Sequence, residues 1–300
     1  MKWLKKGIII DPNKLNLDWI KTHAMVPVAD YLSDNIFRVY FSGRDKKNRS
    51  LIAYVDIDIK NPSKMIAISK QPVLGLGKLG CFDDNGVTPS WIVNYKNYKY
   101  LYYIGWNKGA TVRMHIVAGL SISNNGGDSF QRVLNVPILD RTHEEPYTLN
   151  TGPCVLFDDG HWRMWYVSGV EWVHHDLPRY NIKYAESNDG IKWKRDGHIC
   201  IDFKKGENAL ARPCVIKEDK IYKMWYSYKG SAYRIGYAES NDGLYWQRKD
   251  NEANIDISKS GWDSEMIEYS FVFKHKNKKY MLYNGNNYGY DGIGLAVEEK

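Results

Sequence analysis

Tyr184-Ala-Glu-Ser-Asn-Asp-Gly190-Ile-Lys-Trp193 decides the architecture, because the chain writes it again as Tyr237-Ala-Glu-Ser-Asn-Asp-Gly243-Leu-Tyr-Trp246. A looser copy runs Leu120-Ser-Ile-Ser-Asn-Asn-Gly-Gly-Asp-Ser-Phe130. Self-similarity of this kind signals a repeat architecture. The Asp-Gly pair supplies the positive φ that a tight hairpin demands, so each copy reads as two strands joined by a turn. An aromatic strand precedes each turn: Tyr100-Leu-Tyr-Tyr103, Arg163-Met-Trp-Tyr166 and Lys223-Met-Trp-Tyr226. Phe37-Arg-Val-Tyr-Phe41 and Tyr280-Met-Leu-Tyr283 are two further versions.

Ahead of each aromatic strand lies a third element, marked by Pro27, Pro89, Pro153 and Pro213, with Ser270 in the fifth place. Successive marks are 62, 64, 60 and 57 residues apart, so five units of about 60 residues fill the chain. Strand, aromatic strand, strand, turn and short Trp-bearing strand make a four-stranded meander, and meanders repeated radially make a β-propeller. The expected fold is all-β: a single five-bladed β-propeller domain with blades near 22–60, 84–135, 144–200, 207–255 and 264–300. The last blade runs out of chain after Ile293-Gly-Leu-Ala-Val297, so a strand at 7–10 is expected to close it and remove an open edge. Trp193 and Trp246 read as wedges between blades, and 11–20 as one short helix.

The 300 residues are 43% hydrophobic, 26% charged and 14% aromatic, a globular composition. Tyr and Trp at that level favour strands. The net charge of +7 comes from scattered Lys and Arg with no basic run, which argues against a nucleic-acid partner. No apolar run approaches membrane-spanning length, and no secretory leader follows the N-terminal lysines. Cys81, Cys154, Cys200 and Cys214 show no C-x-x-C spacing. A cytoplasmic location without membrane partner is expected.

The repeated Ser-Asn-Asp-Gly-x-x-Trp turns, with the closing Tyr280-Met-Leu-Tyr-Asn-Gly-Asn-Asn-Tyr-Gly-Tyr-Asp-Gly-Ile-Gly-Leu-Ala296, resemble the five-bladed propeller superfamily of glycoside hydrolase families 43, 32, 68 and 130. The resemblance covers essentially the whole chain and implies chemistry at a glycosidic or anomeric centre on a sugar or glycan. One feature departs from it. Family 43 enzymes place a catalytic Asp before the first-strand proline, whereas the equivalent positions here are Val26, Thr88, Gly152, Arg212 and Tyr269. Hydrolysis is the activity implied by resemblance. Transfer or phosphorolysis on an anionic or activated sugar, and a non-catalytic glycan-binding propeller, are the alternatives.

In a propeller the loops entering each inner strand and those leaving each second strand share one mouth. Entering loops carry Asp84, Glu144, Glu145, Glu265 and Glu268, with His23 and Asn208. Strand alternation places Asp84, Arg212 and Glu265 on a common side. Glycosyl chemistry needs a proton donor and usually a second carboxylate. Glu144 and Glu145 are the candidate acids, Asp84 and Glu265 the candidate bases or hydroxyl binders. Arg44, Trp106, Glu171, Trp172 and Lys229 leave second strands, and 170–181 reads as a pocket wall. Tyr147, Trp172 and Tyr288 offer stacking faces, while Thr88 and Tyr269 flank the axis.

Arg212 is a cation where an acid is expected. A buried, unpaired guanidinium is costly, so it is expected to pair with Glu265, Asp84 or an anionic ligand. His174-His175 send their rings to opposite sides of an extended segment, so no metal site is read there. Gly75-Leu-Gly-Lys-Leu-Gly80 has no following helix, so it is not a phosphate loop, and no cofactor is implied. Nothing in the sequence fixes the oligomeric state.

Overall fold

The four proline-marked segments and their fifth counterpart become long inner strands in the computed structural model, which describes residues 2–299. The first antiparallel meander comprises Thr22–Ser33, Ile36–Arg44, Ser50–Asp58 and Asn61–Ile68. The second comprises Gly86–Tyr95, Tyr98–Lys108, Met114–Ser123 and Gln131–Arg132. Leu149–Asp158, His161–His174, Leu177–Ser187 and Ile199–Ile201 follow. Next come Ala209–Glu218, Ile221–Lys229, Tyr233–Ser240 and Gln247–Arg248. The last meander takes Glu268–His275, Lys278–Asn284 and Ile293–Glu299 from the C-terminal end and Lys2–Ile10 from the N-terminal end. The closing strand is longer than the 7–10 expected, with Lys2 opposite Glu299 and Ile10 opposite Ile293.

Successive meanders touch through their inner halves. Thr88 Oγ1 donates to Ser42 Oγ (3.2 Å), and Ser90 Oγ to the Pro153 carbonyl (2.8 Å). The Val215 and Val272 amides donate to Cys154 Sγ (3.2 Å) and Cys214 Sγ (3.0 Å). The Val26 amide donates to Asn284 Oδ1 (2.8 Å), joining the last meander to the first.

The repeated turn is a docking point. Within it, Ser187 Oγ accepts from the Gly190 amide (2.9 Å), and Asp189 Oδ1 accepts from the Ile191 and Lys192 amides (both 2.8 Å). Gly190 sits at φ +73, and a Cβ there would come 2.9 Å from the Tyr102 hydroxyl. The turn carbonyl is thereby presented to the aromatic strand of the preceding meander. Tyr40 donates to Gly127 O (3.0 Å), Tyr102 to Gly190 O (2.8 Å) and Trp165 Nε1 to Gly243 O (2.7 Å). Trp193 meets Tyr102 and Trp246 meets Trp165 edge-to-face, at 6.1 and 6.0 Å between centroids, as the wedge reading expects. In the last meander Trp3 plays this part against Trp225 (6.3 Å).

Two expectations need correction. Residues 11–20 form only a 3₁₀ turn at Pro12–Lys14, capped by Asp11, because Asn16 turns left-handed (φ 51) and stops any helix. Inner-strand alternation also fails at the proline mark. Val26, Gly152, Arg212 and Tyr269 have φ of 52, 59, 54 and 55, each inside a register shift. A bulge adds a residue and moves upstream side chains to the other face. No helix among the described residues is long and apolar enough to cross a membrane.

Candidate functional site

One position per inner strand borders a common space, four of them at bulges and Thr88 just before one. Val26, Thr88, Gly152, Arg212 and Tyr269 all line one cavity of about 730 Å³. A left-handed Val is costly, and such strain gathers where the chain positions functional groups. Of the other expected binding residues, His23, Arg44, Trp106, Asn208 and Tyr288 also line it.

The charge lining this cavity is mostly one sign. Arg44, Lys108, Arg113, Arg212 and Lys229 border it, whereas Asp176 is the one lining carboxylate among the described residues. Arg212 is 2% exposed. It donates to the carbonyls of Ser90 and Pro27, leaves Nε without a partner, and forms no ion pair with any described carboxylate. Burial lowers its pKa to about 10, so it stays charged at neutral pH. Arg44 donates to Asn48 Oδ1 (2.8 Å), and its buried Nε is also unpartnered. The buried Thr151 hydroxyl, a third cavity group, likewise lacks a partner. His23 is held neutral, its pKa lowered to about 4 by burial and then by the Arg44 charge.

Tyrosines form another side. The Tyr180 and Tyr233 hydroxyls meet at 2.6 Å, and Lys229 Nζ donates to the Tyr288 hydroxyl (2.9 Å). The Tyr233 ring lies 6.0 Å from that of Tyr269 and 6.1 Å from that of Tyr288. Beside this group Glu268 is wholly buried with both carboxyl oxygens unpartnered, outside the set of lining residues. Burial pushes its pKa well above the usual carboxylate range, against the pull of Lys229.

The four expected catalytic carboxylates stand elsewhere, for a reason that recurs around the fold. In the second to fifth meanders the last Tyr of the aromatic strand needs an acceptor in the interior, and a nearby acid supplies it together with an outer cation. Tyr103 and Arg132 Nε reach Asp83 Oδ2 (2.9 and 2.7 Å); Tyr283 and Lys5 reach Asp263 Oδ2 (3.1 and 2.7 Å). Glu145 is this staple in the third meander: it accepts from Tyr166 (2.5 Å) and pairs with Arg195 (3.1 Å) and Lys183 (3.6 Å). Asp250 joins Tyr226 to Arg248 in the fourth. Asp84, next to one staple, only caps the Gly80 amide (2.9 Å). Glu144 is exposed, and hydrogen bonds with its own backbone and with Thr142 pull its pKa down, opposite to what an acid catalyst needs. Glu265 is also exposed, so neither it nor Asp84 neutralises Arg212.

The expected wall at 170–181 is a hairpin arm. His161–His174 continues pairing with Leu177–Ser187, placing Glu171 in an ion pair with Arg179 (2.5 Å) and Trp172 opposite Pro178, both outside the cavity lining. Tyr147 is half-buried beside Gly169 and does not line it either. The tip does contribute, through Asp176, Leu177, Pro178 and Tyr180, and the Arg113 amide ties to the His175 carbonyl (3.0 Å). Lys108, Arg113, Thr151, Tyr180 and Tyr233 are cavity residues the sequence did not single out. Thr151 lies two residues before Pro153, and the others flank hairpin ends, so position relative to the strands was the available signal.

No known protein-family profile matches the chain. Solved structures alike in fold include a glycoside hydrolase with TM-score 0.76 and 18% identity, covering 99% of this chain and 91% of that one. A thermostable family-43 glycoside hydrolase has TM-score 0.66 and 17% identity, covering 94% and 91%. β-1,2-Mannobiose phosphorylase from Listeria innocua, in complex with β-1,2-mannobiose, has TM-score 0.75 and 9% identity, covering 100% and 97%. These likenesses give the chain the fold of the propeller glycoside hydrolases. In sequence it is 40% identical over 302 residues to the uncharacterized proteins MT1551 and Rv1502 of Mycobacterium tuberculosis (strains CDC 1551 / Oshkosh and ATCC 25618 / H37Rv), with 100% of each chain covered. The chain therefore belongs to the family of MT1551 and Rv1502.

Proposed function

We propose that the five meanders form a five-bladed propeller whose cavity houses a carbohydrate-active enzyme, acting at the anomeric centre of an anionic or activated sugar. The observation that carries this reading is the lining itself: five cationic side chains and a tyrosine group against a single carboxylate. Tyr233, Tyr269 and Tyr288 suit the apolar faces of a sugar ring. The cations suit its charged substituent. The fold shared with glycoside hydrolases and a mannobiose phosphorylase supports carbohydrate chemistry.

Two-carboxylate hydrolysis needs both an acid and a base or nucleophile. A lining that among the described residues offers Asp176 alone favours a reaction in which the incoming group supplies its own nucleophile, so transfer or phosphorolysis is preferred to hydrolysis. In phosphorolysis Asp176 would donate a proton to the leaving glycosidic oxygen as its bond to the anomeric carbon breaks and a phosphate oxygen bonds to that carbon. In transfer from a hexose 1-phosphate it would take the proton of the acceptor hydroxyl as that oxygen bonds to the anomeric carbon and phosphate leaves. The test is a turnover screen of hexose 1-phosphates with acceptor sugars, and of disaccharides with inorganic phosphate, read by phosphate release or uptake. Turnover that Asp176→Asn abolishes without unfolding the protein supports the reading. Turnover of neutral glycosides with water alone, or none with any donor, overturns it.

A further inference from the structure

Three polar groups of the cavity are left without partners by the rest of the chain: Arg44 Nε, Thr151 Oγ1 and Arg212 Nε. They come from the first, third and fourth meanders, so no single loop explains them. Arg212 is 2% and Thr151 4% exposed. Buried donors normally find partners, and a buried cation without a counter-charge is costly. The remaining Arg212 nitrogens are anchored on the Ser90 and Pro27 carbonyls, which hold the guanidinium in place but bring no negative charge. The other lining charges do not cancel it. Asp176 is exposed, lies 2.9 Å from His175 Nε2 and forms no ion pair with Arg212; Lys108, Arg113 and Lys229 add cations, and burial favours the uncharged form of Glu268.

We propose that Arg44, Thr151 and Arg212 form a subsite for a phosphoryl dianion, borne by the sugar substrate or supplied as inorganic phosphate. Two guanidinium groups match a charge of two, and their N–H donors together with a hydroxyl suit the several oxygens of a tetrahedral oxyanion, whereas a planar carboxylate offers only two. The neutral His23 beside Arg44 leaves that balance unchanged at physiological pH. The subsite rests on the reading of the cavity as a sugar site and names the anion that site takes.

Calorimetric titration of the full chain at constant ionic strength tests it, with inorganic phosphate, a hexose 1-phosphate and the free hexose as separate ligands. The expected result is saturable one-to-one binding of at least one phosphorylated ligand, weakened about tenfold or more by Arg44→Gln and by Thr151→Val. Tighter binding of the hexose phosphate assigns the group to the sugar; equal or tighter binding of phosphate assigns it to a free co-substrate. Arg212→Met is the stronger variant where it folds, and the other two keep the test open where it does not. Absence of saturable binding by either phosphorylated ligand, or affinities unchanged in folded Arg44→Gln and Thr151→Val, overturns the subsite. The titration reads binding alone, so its failure leaves the turnover screen standing, and a failed screen leaves the titration standing.

Discussion

At the residue scale, Glu268 and His23 tie the cavity to pH in opposite directions. Burial makes the folded chain bind the Glu268 proton more tightly than the unfolded chain, whose ordinary value is 4.5, so this residue makes stability fall as pH rises beyond that point. Glu268→Gln, which keeps the shape without the charge, is expected to flatten that slope and stabilise the protein more at pH 8 than at pH 5, as read by urea unfolding. His23 acts the other way. Its pKa falls from 6.5 to about 4 on folding, so stability drops as pH falls from 6.5 towards 4, and His23→Gln should remove that part of the acid limb. Glu145 belongs to the frame. Glu145→Ala would leave Arg195 and Lys183 buried without their counter-charge and is expected to cost about 3 kcal/mol in chemical denaturation. A loss below about 1 kcal/mol would contradict the staple.

At the element scale, the turn and the aromatic strand are one device. Tyr102→Phe removes the bond to the Gly190 carbonyl and should cost about 1 kcal/mol. Gly190→Ala, which strains the left-handed turn and crowds the Tyr102 hydroxyl, should cost as much or more, about 1–2 kcal/mol by thermal unfolding. This device was legible in the sequence because its signals are local: an Asp-Gly pair and a Trp three residues on. The proline mark singles out Val26, Thr88, Gly152, Arg212 and Tyr269, all of which line the cavity, although in sequence Val26 and Gly152 stand only as places where an expected Asp is missing. The acids were misread because an entering-loop carboxylate looks the same whether it serves a substrate or a staple. Arg132 lies 49 residues from Asp83 and Arg195 lies 50 from Glu145, and nothing in local spacing reveals such partners. The bulges were equally hidden, since positive φ at Val26 and Tyr269 runs against what those side chains prefer.

At the scale of the whole molecule, the two chain ends meet in one sheet, with Lys2–Ile10 against Ile293–Glu299 and Trp3 against Trp225. Removing residues 2–10 uncovers a strand edge and deprives Asp263 of Lys5. The shortened protein is expected to aggregate or to lose its cooperative unfolding transition in calorimetry. Closure matters for chemistry because the cavity is assembled from all the meanders: Arg44, Thr88, Thr151, Arg212 and Tyr269 come one from each. The central claim is that this shared cavity receives an anionic sugar. A crystal structure of the protein with a bound hexose 1-phosphate tests it most directly. The account predicts the phosphoryl group against Arg44 and Arg212 with the ring along Tyr233 and Tyr269; a ligand seated on the outer surface, or a ring in the cavity with its phosphoryl group turned away from both arginines, would contradict it.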